Sequence, residues 1–317
     1  MHYHDGKWWT ADNYLTQEGM AGLFREEHDM ADLAMVSPTE GWAVGRNGQD
    51  GLILHYHDGC WQKVDWNQRP GNYYKYGLTL YAIQMLSPDN GWIVGSGAIL
   101  HYQNGKWSQV DAPDADKVTL EGISMISSDE GWAVGGFSSI LHYKDGRWAK
   151  VDWVSPSASE LPRSVNGFRP FVEDIQMVSP NEGWAVGEAG LIVHYKAGKW
   201  NRVVVDGKYD LRTIQMLSST EGWASGGDGN DTGGVILHYK DGKWSEQFHQ
   251  KDAFFFSVYM TSPSDGWTAT DYWNFMHYQN GQWQLHKQKF KGESLLHQGS
   301  HFTIRWLKPH NHLLPVT

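Results

Sequence analysis

One passage is written six times along this chain: an apolar strand ending in Met, then a Ser-Pro-x-Glu-Gly-Trp-Ala-Val-Gly stretch, then Ile-Leu-His-Tyr-x-Asp-Gly-Lys-Trp. Two copies show it best, Leu80–Val110 (LYAIQMLSPDNGWIVGSGAILHYQNGKWSQV) and Val172–Val203 (VEDIQMVSPNEGWAVGEAGLIVHYKAGKWNRV). The others start near Asp32, Leu120, Leu211 and Phe254. Each copy reads as four short strands. In the first, Ile83 and Met85, Ile123 and Met125, Ile175 and Met177, and Ile214 and Met216 alternate with small or polar residues, the period of two that a strand imposes.

The turns fit the same reading. Ser87-Pro88, Ser179-Pro180 and Ser262-Pro263 preset a type I turn that a Gly closes. Asp58-Gly59, Asn104-Gly105, Asp145-Gly146, Asp241-Gly242 and Asn280-Gly281 favour a two-residue hairpin between the third and fourth strands. A period of about 40–50 residues made of short strands and tight turns predicts an all-β fold, a β-propeller of four-stranded antiparallel blades.

Thirteen of the eighteen Trp residues belong to the repeat and are expected to pack between blades. Six follow the Gly of the second strand (Trp42, Trp92, Trp132, Trp184, Trp223, Trp267), and seven open a fourth strand once Trp8 is counted. Six of the ten Met close a first strand and read as packing residues.

His2 to Trp8 reads as third and fourth strands alone, and Thr303–Pro309 can be laid on Thr213–Ser219. The expectation is a seven-bladed ring whose last blade joins N-terminal strands (2–10) to C-terminal ones (302–317), removing two open sheet edges. The C-terminal match is degenerate: Trp306 replaces Met, and His312-Leu313 replaces Gly-Trp. One domain, 1–317, is expected, with blades at 32–64, 80–110, 120–151, 172–203, 211–248, 254–286, and 302–317 with 1–10.

The formal charge of −10 disfavours a general nucleic-acid or anionic-membrane surface. Lys287, Lys289, Lys291, Arg305 and Lys308 form a local basic exception, read as a solvated linker. Cys60 is the single cysteine, so no intrachain disulfide is expected. No secretory apolar region or membrane-spanning run is written in the chain. A soluble monomer that stays where it is made is expected, with export only if upstream sequence supplies a signal.

The order of GWAVG, IL-HY and DG-x-W resembles the repeat of photosystem II stability/assembly factor-like propellers. More broadly it is similar to the sialidase-type Asp-box (BNR) repeats. Asp58-Gly59-Cys60-Trp61 and Asp145-Gly146-Arg147-Trp148 carry the Asp-Gly hairpin and following aromatic of those families, shortened by a residue or two. The resemblance covers almost the whole chain and implies the fold, because the Asp-box is a folding device. The shortened wording suggests a divergent bacterial branch. The assembly-factor relatives hold a protein partner on a basic patch, and this acidic chain has no matching Arg cluster. Photosynthetic assembly is therefore not inherited.

Three patterns could carry chemistry. Seven His-Tyr pairs (His2, His55, His101, His142, His194, His238, His277) occupy equivalent blade positions, which cannot meet at zinc-ligand distance. The stretch Gly226–Gly233 resembles one calcium-binding nonapeptide, with Asp228, Asn230 and Asp231 as the ligands it would offer. A single copy lacks stacked neighbours, and a turn is the preferred reading. Phe168-Arg169-Pro170 resembles a sialidase signature, but nothing in the spacing brings three of Arg46, Arg163, Arg169, Arg212 and Arg305 together. No cofactor and no resident metal is expected.

What varies between copies is more informative. In a propeller the loops joining one blade to the next share a face with the turns between second and third strands. That face collects Arg46–Asp50, Trp66–Gly77, Trp153–Pro170, Asp228–Asp231 and Asp271–Trp273. Aromatic and Arg side chains are enriched at binding hot spots. Arg46, Tyr73, Tyr74, Tyr76, Phe168, Arg169, Tyr272 and Trp273 are therefore the expected contact residues of a non-enzymatic binding or scaffold module that takes a protein or a glycan. The alternative is a sialidase-like glycoside hydrolase or propeller lectin, with Trp66 and Trp153 lining shallow sugar sites.

Overall fold

A computed structural model describes residues 2–4, 7–9, 28–66, 77–113, 117–153, 170–205, 209–229, 232–271 and 274–286. Six four-stranded antiparallel sheets span 28–63, 80–109, 120–150, 172–203, 210–251 and 255–286, each with its strands in chain order. The first strands are His28–Ser37, Leu80–Ser87, Leu120–Met125, Val172–Ser179, Asp210–Met216 and Phe255–Ser262. Each of the first five lies beside the first strand of the following blade, which places these six nearest the axis.

The Asp/Asn-Gly turns carry positive φ at both central residues, as at Asp145 (51°) and Gly146 (82°), the geometry that matches strand twist in a two-residue hairpin. Both glycines of GWAVG answer to close approach. A Cβ on the first, such as Gly91, would stand 2.2 Å from the Sδ of its cross-strand partner Met85. A Cβ on the second, such as Gly95, would stand 2.2 Å from the carbonyl oxygen of Thr79. The recurrent Met and Gly are thus two halves of one contact.

Where two described blades meet, the tryptophans do pack between them. Trp184 is buried, stacks on His194 of its own blade (centroids 3.8 Å apart), and meets Tyr239 and Trp244 of the next blade at 4.7 and 5.6 Å. Trp42, Trp92 and Trp223 repeat the arrangement. The edge-to-face contacts between indoles add to what burial alone gives. The histidines of six His-Tyr pairs, His55, His101, His142, His194, His238 and His277, are accounted for here. Each covers the Trp and hydrogen-bonds the side chain that opens the second strand, as His194 does with Glu182 at 3.0 Å. Burial lowers the pKa of His101, His142, His194 and His238.

Polar hooks join the first strands. The Gln176 amide donates to Met216 O (3.1 Å) and accepts from Met216 N (2.8 Å), and Gln84 does the same to Met125. Gln215 bridges to Met260 in the same way. Buried Asp32 accepts from Ile83 N, and buried Asp174 from Ile214 N and the Thr213 hydroxyl. Each hook satisfies main-chain groups that burial between blades would otherwise leave unpaired.

A two-stranded hairpin, His2–His4 with Lys7–Trp9, accompanies the six blades. It pairs Tyr3 with Trp8, as Tyr102 pairs with Trp107 in the second blade, so its register is that of third and fourth strands. Residues 302–317, expected to supply the rest of a seventh blade, lie outside the described residues.

Candidate functional site at the axial mouth

All six first strands carry the same irregularity. Between Met30 and Asp32, Leu80 and Ala82, Leu120 and Gly122, Val172 and Asp174, Leu211 and Thr213, and Phe255 and Ser257, one residue is left out of the pairing. A β-bulge kinks its strand and re-aims the extra side chain. The bulged residues are Ala31, Tyr81, Glu121, Glu173, Arg212 and Phe256. They sit where each first strand begins, on the long-loop face. The position before each bulge is apolar in every blade (Met30, Leu80, Leu120, Val172, Leu211, Phe255), whereas these six follow no pattern.

Four of the six interact across blade boundaries. Arg212 Nη1 lies 2.6 Å from Glu173 Oε1, joining the fifth blade to the fourth. Glu121, one blade earlier, feels the charges of Glu173, Arg212 and Glu188. Burial pushes the Glu121 carboxyl up to about 8, its acidic neighbours push the same way, and Arg212 opposes them. Glu173 is also raised, first by burial. Tyr81 is raised by burial and by Glu121, while its bonds to Thr79 and Ser96 work against the shift.

The neighbouring turns belong to the same mouth. Glu188, between second and third strands of the fourth blade, accepts from Phe171 N (3.1 Å), and Asp210 accepts from Ala189 N (2.7 Å). Phe137 occupies the matching turn of the third blade with φ 56° and remains 46% exposed. Ala189 takes the same φ of 56° in the matching turn of the fourth blade, so the left-handed conformation belongs to the turn.

The structure places Arg46 on this face, paired with Asp29 at 2.5 Å. Tyr73, Tyr74, Tyr76, Phe168, Arg169, Tyr272 and Trp273 lie outside the described residues, as do Asn230 and Asp231. Asp228 is described, and its carboxylate closes its own loop by accepting from Thr232 N (3.2 Å) and the Thr232 hydroxyl (2.5 Å). Among the described residues no three His, Cys, Asp or Glu gather as a metal site. Trp66 and Trp153 fold back on their own blades, donating to Gly51 O (3.3 Å) and Ser138 O (2.9 Å), and pack partly into the core. Arg212 and Arg46 each face a carboxylate of this chain.

No family model matches the chain, and no curated protein matches it. Solved structures do. YCF48 bound to D1 peptide superposes with a TM-score of 0.58 at 16% identity, over 82% of this chain and 81% of that one. YCF48 from Cyanidioschyzon merolae gives 0.59 at 14% identity, over 82% and 85%. The RRP9 WD40 repeats give 0.62 at 9% identity, over 82% and 80%. The chain is a β-propeller. At these identities the likeness is one of fold, and the resemblance to the assembly-factor propellers seen in the repeat is found again in the three-dimensional comparison.

The raised Glu121 pKa has a measurable consequence. Its folded value of about 8 lies above the unfolded 4.5, so the carboxyl is protonated in the fold at neutral pH. The stability it permits is full below pH 4.5 and is lost as pH rises through about 8. Glu121→Gln should therefore match the parent at pH 4 and exceed it by about 1–2 kcal/mol at pH 8.5, an amount discounted for solvent in the channel. Urea titrations at the two pH values read this directly. A variant that stays parallel to the parent would show that Glu121 is not desolvated.

Proposed function

We propose that this propeller is a non-enzymatic binding module that holds a segment of another protein across its long-loop face, centred on the axial mouth. The observation that carries this reading is the six bulges, which take a variable residue out of the pairing at the same end of every first strand and bring four of them, Tyr81, Glu121, Glu173 and Arg212, into interaction across blades. Long loops rich in Tyr, Trp and Arg surround these positions in the sequence. The opposite face carries short turns whose side chains are engaged in the His–carboxylate bonds. A protein of the same fold, YCF48, is known with a peptide bound, which supports a polypeptide ligand over a glycan.

The ring is seven-bladed in this reading, the hairpin 2–9 joining the C-terminal strands between the sixth and first blades. The aromatic pattern supports it. Every second-strand Trp from blade one to blade five meets a Tyr from the following blade. Trp267 of the sixth blade already stacks on His277 at 3.9 Å, and the next Tyr-Trp hairpin of the same register is Tyr3-Trp8.

The test is selection of peptides from a display library on the immobilised full chain, followed by titration of variants. Replacing Tyr81 and Phe137 by Ala, or Tyr73 and Trp273 by Ala, should weaken a selected peptide at least about tenfold, the scale of a hot-spot loss. Peptides that ignore all four substitutions yet respond to changes at Lys144 and Lys196 would move the binding face to the other end.

A further inference from the structure

We infer that the axial ring is a pocket for a basic side chain, so that the bound segment presents a lysine or arginine toward Glu121, Glu173 and Glu188. This rests on the reading of the chain as a binder of protein segments and adds what the segment must carry.

Three features converge. The first is placement. Glu121, Glu173 and Arg212 are bulge residues of three consecutive blades, left out of the pairing by the same backbone device, and they interact across the blade boundaries. The second is the charge balance. Among the described residues, Glu121, Glu173, Glu188 and Asp210 share one guanidinium, that of Arg212, which is bonded to Glu173. Glu188 and Asp210 spend oxygens on main-chain N–H groups of the neighbouring turns. Glu121 accepts no hydrogen bond among the described residues, although it is largely desolvated. A desolvated carboxyl with no donor is the group that gains most from an incoming cation. The third is the neighbouring Tyr81, which interacts with Glu121 and offers aromatic surface for the methylene stem of a long basic residue.

The same geometry couples binding to protons. Glu121 is faced by Glu173, Glu188, Arg212 and Tyr81. A cation beside it favours the ionised form, so binding expels its proton, and affinity should rise about tenfold between pH 6.5 and 8.5.

Peptides selected on the full chain at pH 8.5 are the probe, each compared with a copy in which arginine is replaced by citrulline or lysine by glutamine. The expected result is a shared basic residue, a loss of at least tenfold on neutralising it, and the same loss with the Glu121→Gln protein. Selected peptides without a basic residue, or equal affinity for parent and Glu121→Gln, would overturn the cation pocket while leaving the protein-binding face standing. A folded protein that selects no peptide would overturn both. Glu173→Gln separates pocket from fold: it should weaken the peptide even where circular dichroism and urea midpoint match the parent.

Discussion

Gly95→Ala should destabilise this propeller by about 3 kcal/mol, near the upper end for overpacking a well-filled interior. The new methyl would stand 2.2 Å from Thr79 O and 2.9 Å from Leu80 Cα, both backbone atoms. Thr79 O is already committed, accepting the N–H of Ser96 at 2.8 Å. Relief would move the start of the first strand, and with it the bulge that carries Tyr81. The neighbouring Gly91 supplies a control in the same strand. Its methyl would meet chiefly Met85 Sδ and Cε, and a thioether can swing aside. Gly91→Ala should cost about 1 kcal/mol. Urea unfolding of both variants distinguishes the two kinds of contact. A Gly95→Ala protein within 0.5 kcal/mol of the parent would mean that the bulge is soft, and the axial site with it.

The repeat made blades, hairpins and inter-blade tryptophans legible because each is a local pattern recurring at fixed spacing. Asp145-Gly146 announces its turn, and Gly-Trp its strand. The reason for the histidines was not legible. Stacking on Trp184 and bonding to Glu182 join residues on adjacent strands whose register the sequence does not print. The axial site was harder still. Tyr81, Glu121, Glu173 and Arg212 each follow a recurrent apolar residue (Leu80, Leu120, Val172, Leu211), and only the bulge shows that this slot leaves the pleat. The available signal was variation in size and charge: the slot reads Ala, Tyr, Glu, Glu, Arg, Phe where the residue before it stays apolar and the one after it stays small or acidic. Long loops drew attention to Arg46 and Tyr73 instead. Arg212 was weighed as a candidate for a triple-arginine site, yet its partner is Glu173, a residue of the preceding blade that the sequence separates from it by a whole repeat.

Trp184→Ala should cost about 3–5 kcal/mol, the range for removing a large aromatic from a core. Its indole is 2% exposed and serves two blades at once, through His194 on one side and Tyr239 and Trp244 on the other. Removing it leaves a void that neither sheet can close without shifting, because both are fixed to the axis by the Gln176–Met216 bridge. The same substitution in the sixth blade bears on how the ring ends. If Tyr3 and Trp8 stand against Trp267 as Tyr239 and Trp244 stand against Trp184, then Trp267→Ala and Trp8→Ala report one interface. Their effects should fall short of additivity by about 1 kcal/mol, as for residues in contact. Additive losses in that cycle would detach the hairpin from the sixth blade. The exposed sixth-blade face would then need another cover, because a propeller sheet buries one face only by leaning on the next.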